Sequence, residues 1–206
     1  MEALYEFWEN DNDATIRTGQ VADSLDVSPA SATEMIQRLA SKEWVDYLPY
    51  KGLKLTAQGL EKGGRIKKRH RLAECLLIDV LGFTGDAHKA ACMLEHALTD
   101  ELEESLDILL GRPTHDPTGR LIPRITELNV NLEPAKLILL AQTMEVGQRG
   151  ILFSIAMIED DRNLLDSMGL SPGNEVQRTE KGIIVNGIEH VVNDALLKRL
   201  LIKPEH

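Results

Sequence analysis

The apolar residues of this chain change their spacing partway along, and that change limits the possible folds more than any single motif. Up to about residue 110 they recur at three- and four-residue intervals, the signature of amphipathic helices. Beyond residue 145 they come as short runs, Gly150 to Ile158, Glu175 to Thr179, Gly182 to Val185 and Ile188 to Val192, separated by Ser-Pro-Gly-Asn, Glu-Lys-Gly and Asn-Gly. That punctuation belongs to a small β-barrel. The expected fold is therefore mainly α with a small β domain at the C-terminal end. With 206 residues, 43% of them hydrophobic and 27% charged, the chain is long enough for one large domain or for two to three small ones with their own cores.

The helical part divides further. Residues 2 to 9 begin a short helix that Asn10-Asp11-Asn12-Asp13 ends. Thr18 reads as the N-cap of a second helix, with Val21, Ala22 and Leu25 inward. Ser28 caps a third, with Pro29 in its first turn and an apolar stripe at Ala32, Met35, Ile36 and Leu39. Two helices joined by a tight turn form a helix-turn-helix. Trp44 to Leu48 and Leu53 to Leu55 then alternate around Tyr50-Lys51-Gly52 as a β-hairpin, which makes the whole a winged helix-turn-helix. Thr56 caps a long helix running toward Gly82, weakened near Gly59, Gly63 and Gly64. A helix over 88–96 and another from Thr99 to about Leu110 follow, and Arg112 to Gly119 reads as a linker. Internal repeats and low-complexity segments are not evident.

Charge and cysteine content narrow the function. No run of eighteen apolar residues and no basic stretch leading into an apolar segment is found, so neither a membrane span nor a secretory signal is expected, and the cytoplasm is the expected compartment. Cys75 and Cys92 are too few for a disulfide framework. The net charge of −10 argues against nucleic acid as a partner, but its distribution weakens that objection. Lys62, Arg65, Lys67, Lys68, Arg69 and Arg71 stand against only Glu61, while Asp100, Glu101, Glu103, Glu104 and Asp107 form a separate acidic block. By its own prior the basic run is a solvated helix face rather than a phosphate contact.

Two sets of residues carry chemistry. Helix-turn-helix geometry puts the second helix in the major groove, so Ser28, Pro29, Ala30, Ser31, Thr33, Glu34, Gln37 and Arg38 form the candidate DNA-reading surface. A carboxylate such as Glu34 can accept there from cytosine N4. The bland reading is a winged helix that binds protein, since the first 60 residues hold 5 basic against 10 acidic side chains. The second set lies on the 88–96 helix, where His88, Cys92, Glu95 and His96 fall at i, i+4, i+7 and i+8, and on the helix before it, where His70 and Glu74 are i and i+4. One histidine on an apolar face is ordinarily a satisfied structural residue; four donors on one face point to coordination. Imidazole, carboxylate and thiolate suit a divalent first-row metal such as Fe2+, Co2+, Ni2+ or Zn2+, and a purely carboxylate site would suit Mn2+ better. Catalysis has less support: the chain has no His-Glu-x-x-His pattern and no Gly-rich phosphate loop.

The order of these features is specific. A winged helix, His70-Arg71-Leu72-Ala73-Glu74, His88-x-x-x-Cys92-x-x-Glu95-His96 and then Gly119-Arg120-Leu121-Ile122-Pro123 resembles the diphtheria toxin repressor family of metal-dependent transcriptional repressors, in its iron-type branch. The resemblance covers essentially the whole chain, and residues 145–206 resemble the SH3-like domain that these proteins share with small ferrous-iron-transport accessory proteins. It implies a homodimer that binds a palindromic DNA operator when loaded with Fe2+, with Mn2+ as the alternative and Co2+, Ni2+ or Zn2+ as substitutes in vitro. It further implies that Cys92, Glu95 and His96 form the activating site and His70, Glu74 and His88 an ancillary one. The family's first-helix ligand aligns just before Met1, and Glu2 falls where manganese-type members carry a carboxylate ligand. Two further ancillary ligands of the family align near Phe153 and Ala156, which have no ligating side chain.

The reading is a winged helix-turn-helix over 1–64, an all-α dimerisation and metal-binding domain over 65–128, and a linker with an SH3-like β-barrel over 129–206. The expected partners are double-stranded operator DNA and a second copy of the chain, without membrane or small organic ligand, and the expected protein is not an enzyme. The runner-up is a metal-independent winged-helix protein whose SH3-like domain binds a protein partner in iron transport, with the His/Cys cluster merely structural.

Overall fold

A computed structural model describes residues 1–13, 15–125, 138–156, 165 and 167–205. The chain falls into two compact units, one made of 1–68 with 123–127 and the other of 69–122 with 128–206.

The first unit is the winged helix. Helices α1 (Glu2–Asn10), α2 (Thr18–Ser24) and α3 (Pro29–Ala40) precede the hairpin β1 (Val45–Leu48) and β2 (Gly52–Leu55), which pair antiparallel. Of the apolar stripe expected on α3, Ala32 and Ile36 join Leu4, Ile16, Val21, Ala22, Val45 and Leu53 in one core and Leu39 packs against it, whereas Met35 stays exposed. Ser28 caps α3 by accepting the Ser31 N–H, with Pro29 just inside. The start of α2 differs from expectation. Its N-cap is Arg17 rather than Thr18, and the Gln20 side chain accepts the Arg17 N–H, satisfying a donor that the missing hydroxyl cap leaves open. Ile16 also pairs with Leu53 through two backbone hydrogen bonds of 2.9 and 2.8 Å, so β2 is flanked on both edges.

Helix α4 (Ala57–Cys75) begins at the Thr56 cap, whose Oγ1 accepts the Gly59 N–H. Its internal glycines have a steric reason. A Cβ on Gly59 would stand 1.8 Å from the Trp44 carbonyl oxygen, and those on Gly63 and Gly64 would press within 3.0 and 3.1 Å of the Tyr5 side chain. The basic run is a solvated face only in part. Lys67 is buried with its ammonium on Glu2, at 2.9 Å, and on Glu6, while Lys68 and Arg71 are also buried. Burial alone would lower the Lys67 pKa, but the Glu6 and Glu2 carboxylates outweigh it and hold the group above its ordinary value.

In the second unit α4 passes into a π-helical turn, Leu76–Val80, and then α5 (Ala87–Ala97) and α6 (Asp100–Leu109). Arg69 joins Asp100 and Glu103 of α6, and Arg112 joins Glu104 and Asp107, so two arginines partly offset the acidic block. Residues 112–119, read as a linker, fold back instead as a built turn. The Asp116 carboxylate accepts from the Thr118 N–H, the Thr118 hydroxyl and the Arg120 N–H at 2.7–2.9 Å, and His115 bridges Leu121.

The β domain is an antiparallel six-stranded sheet in the order β3-β8-β4-β5-β6-β7. Strands β4 (Arg149–Ile155), β5 (Glu175–Arg178), β6 (Gly182–Val185) and β7 (Ile188–Val191) follow the expected runs. Two strands have no counterpart in the sequence reading: β3 (Leu139–Leu140) and β8 (Leu200–Pro204). The latter lies between β3 and β4, and its Leu200 and Ile202 are fully buried with Leu152, Val176 and Ile183. The end of the run to Ile158 lies outside the described residues.

Candidate metal centre and DNA-reading surface

His70 sits where α4 faces α5, on the first residue of an i, i+4 pair with Glu74. Its ring is 2% exposed. Nδ1 lies 2.9 Å from Glu95 Oε2, and Nε2 lies 3.2 Å from Glu74 Oε1 and 3.1 Å from His88 Nδ1. His88 Nδ1 is in turn 3.3 Å from Glu74 Oε1. The Cys92 sulfur completes the group, 3.8 Å from His70 Nδ1 and 3.9 Å from His88 Nε2. One turn of spacing on α5 stacks His88, Cys92 and Glu95 on the face toward His70, and Asp86 starts that helix by accepting the Lys89 N–H.

The arrangement brings four of the predicted donors around the imidazole ring of a fifth, His70. His70, His88 and Cys92 present ligand atoms all within 4.8 Å of one another. Donors about 2.1 Å from a tetrahedral or octahedral ion stand roughly 3.0–3.4 Å apart, so the spacing of His70, His88 and Glu74 fits a first-row cation with little movement. Two imidazoles, two carboxylates and a thiol are also the right chemistry for such an ion. Burial pushes the Glu74 carboxyl up, but hydrogen bonding and charge from His70, and then from His88, outweigh it and hold the pKa below the ordinary carboxylate value.

The His96 side chain is 78% exposed, with Nε2 3.6 Å from Glu95 Oε1. Glu2, in the first turn of α1, is engaged by Lys67. Phe153 is exposed on β4 and Ala156 follows that strand, so neither offers a ligand atom. Cys75 is not part of the cluster: it is buried among Leu72, Leu106 and Ile122, and its thiol is pushed up to about 12, chiefly by burial and then by Asp79 and Asp116. The spacing of the sequence named these residues as candidate donors; what it missed is that His70 lies against Glu95 and Cys92 as well as Glu74 and His88. That convergence depends on how α4 packs on α5.

On α3, Ser28, Pro29, Ala30, Ser31, Glu34, Gln37 and Arg38 are exposed and Thr33 is partly so. Two hydroxyls already have internal bonds, Ser28 with Ser31 and Thr33 with the Pro29 carbonyl. Arg38 and Glu34 form only a loose, solvated pair at 3.9 Å. The Arg38 guanidinium and the Gln37 amide are therefore the long donors on this face.

Comparison with known proteins places these features in a family. Residues 1–53 match the iron dependent repressor N-terminal DNA binding domain, and residues 56–124 match the iron dependent repressor metal binding and dimerisation domain. An uncharacterised helix-turn-helix transcriptional regulator of Methanocaldococcus jannaschii is 35% identical over 113 residues, which is 54% of this chain and 90% of that one. The iron-dependent repressor IdeR of Mycobacterium tuberculosis is 33% identical over 116 residues, covering 56% of this chain and 50% of its own. The chain thus spans about half the length of the mycobacterial relative it matches. Among solved structures, ScaR with bound Zn2+ superposes with a TM-score of 0.53 at 28% identity over 98% of this chain and 97% of that one. With both of its domain models matched in order, and a relative of similar pattern covered almost end to end, the chain belongs to the iron-dependent repressor family.

Proposed function

We propose that this protein is a metal-switched transcriptional repressor, a homodimer that binds palindromic operator DNA through α3 when loaded with a divalent metal. The observation that supports it most directly is the convergence of His70, Glu74, His88, Cys92 and Glu95 at 2.9–3.9 Å in a chain that also carries a winged helix. His70, Glu74 and His88 are assigned to one donor set, and Cys92, Glu95 and His96 to the activating one. Fe2+ is favoured over Mn2+ because Cys92 supplies a thiolate. When bound, the metal supplies positive charge that neutralises the two carboxylates and crosslinks α4 to α5.

The chain's own residues provide the rest of the switch. Glu74 and Glu95 flank His70 and hold its ring in place, so the donors wait close to their liganded separations. Helix α4 begins in the winged-helix unit and carries His70 and Glu74 near its other end, so its position responds to whatever those side chains hold. By linkage, the factor by which metal tightens DNA binding equals the factor by which DNA tightens metal binding. The exposed apolar side chains Ile78, Leu81, Phe83, Met93, Leu94 and Leu102 suit a second copy as the dimer partner. Among the described residues no helix is long and apolar enough to cross a membrane.

The test is operator binding under anaerobic conditions, using duplexes selected from a random library by the Fe2+-loaded protein. Fe2+ should tighten binding by about 50-fold over chelator, with Mn2+ and Zn2+ run in parallel. Glu95→Ala should lose that stimulation with its circular dichroism and dimer unchanged. Equal affinity in chelator and in Fe2+ would remove the metal switch.

A further inference from the structure

The wing carries a residue that its own fold does not require. Leu48, Pro49, Tyr50 and Lys51 make a turn closed by a 3.0 Å hydrogen bond from the Lys51 N–H to the Leu48 carbonyl. Proline suits the second position of such a turn, and in the type II form the third takes a positive φ, where glycine or asparagine is the favoured residue. Here that position is Tyr50, at φ +65°. A bulky aromatic in the left-handed region is a conformational outlier.

Among the described residues no packing compensates it. The Tyr50 side chain is fully exposed, and it is absent from the winged-helix core, where Tyr47 of the same hairpin does pack. Leu48, beside it, is also largely exposed. The hairpin itself is held firmly. Gly52 lets β2 approach Ile16 so closely that a Cβ there would lie 2.5 Å from the Ile16 carbonyl oxygen, and Ile16 and Leu53 exchange two hydrogen bonds. A rigid ribbon therefore presents a strained, solvent-facing phenol at its tip, immediately after the helix that carries the reading surface. Strain of this kind persists where it serves a contact.

We propose that Tyr50 is an operator-binding residue: with α3 in the major groove, the ring lies against the sugar wall of the neighbouring minor groove and the hydroxyl donates to a phosphate oxygen. This rests on the reading of the first unit as a DNA-binding domain. The minor groove presents a degenerate pattern of acceptors, so Tyr50 adds affinity and register rather than base choice. An uncharged side chain also adds affinity without releasing further counterions, which separates its contribution from that of any lysine or arginine.

The experiment compares the full-length Fe2+-loaded protein with Tyr50→Gly and Tyr50→Phe on a selected operator duplex, over a salt series, with thermal melting of each. Glycine relieves the backbone, so Tyr50→Gly should melt about 2–4 °C higher than the parent while binding the operator roughly tenfold more weakly. Tyr50→Phe keeps the ring and should lose only about threefold. Both should leave the slope of log affinity against log salt unchanged. Unchanged operator affinity in Tyr50→Gly overturns the proposal. If the parent protein itself fails to bind duplex DNA under metal, the DNA-binding reading fails instead, and the two failures are distinguishable.

Discussion

The two cysteines show how differently one side-chain type behaves at two places in the same unit. Cys75 is 2% exposed and packed among leucines, with its Sγ 3.8 Å from the His115 carbonyl oxygen. Burial pushes its thiol to about 12, so almost no thiolate forms at neutral pH. Cys92 is only partly buried and has two imidazoles within 4 Å. Iodoacetamide should therefore modify Cys92 in the native, metal-free protein and leave Cys75 untouched until the chain is denatured. Fe2+ or Co2+ should slow the Cys92 reaction by about tenfold or more, and peptide mapping by mass spectrometry reads both outcomes. Equal labelling of the two thiols, or labelling of Cys92 indifferent to metal, would contradict the assignment. Co2+ also gives intense visible absorption only if thiolate and imidazole bind it directly, which separates coordination from a structural cluster.

At the scale of elements, the glycines of α4 set local propensity against tertiary contact. Replacing a helical glycine by alanine ordinarily stabilises by about 1 kcal/mol, and Gly19 in α2, with nothing within 4 Å of its missing Cβ, should behave so. Gly59 should do the reverse. The atom facing its Cβ is the Trp44 carbonyl oxygen, which already accepts the Thr56 N–H at 3.2 Å and cannot swing away as a side chain would. Gly59→Ala should cost about 2 kcal/mol despite its better helix propensity, seen as a lower denaturation midpoint; a rise in stability would show that the β1 end yields. The same contest explains what the sequence reading missed here. Periodicity announces that α4 is helical but reports its glycines as weaknesses, because the ring of Tyr5 and the carbonyl of Trp44 come from elsewhere in the chain. The acidic and basic runs behave likewise, since Arg69 meets Asp100 and Glu103 only after α4 and α6 have packed.

At the scale of the whole molecule the unpartnered surface matters most. Apolar side chains on the π-helical turn, the loop after it, α5 and α6 stay in water in the protomer: Leu81 is 54% exposed and Leu102 52%. Leu81→Asp with Leu102→Asp removes little from any core, so the variant should fold but sediment as a monomer, and operator affinity should fall by at least roughly tenfold as the second half-site contact is lost. Analytical ultracentrifugation checks it; a dimer that persists would place the interface elsewhere.

Sequence by itself determined the parts whose evidence is local. The Ser28-Pro29 cap and the stripe at Ala32, Ile36 and Leu39 place α3; Gly52 and Tyr50 mark the wing; the i, i+4 spacing puts His70 with Glu74 and His88 with Cys92 on shared helix faces as candidate donors. Each of those signals spans a few residues, so the chain carries it before it folds. Tertiary structure decided what depends on distant segments meeting. It turned residues 112–119 from a linker into a turn pinned by Asp116, because Arg71 and the Ile122 side lie there. It set β8 inside the sheet between β3 and β4, since a strand such as Leu200–Pro204 is recognisable only by the partners that complete its hydrogen bonds. It also placed Glu95 and Cys92 against the His70 ring, because helical spacing defines a face but only packing defines what that face meets.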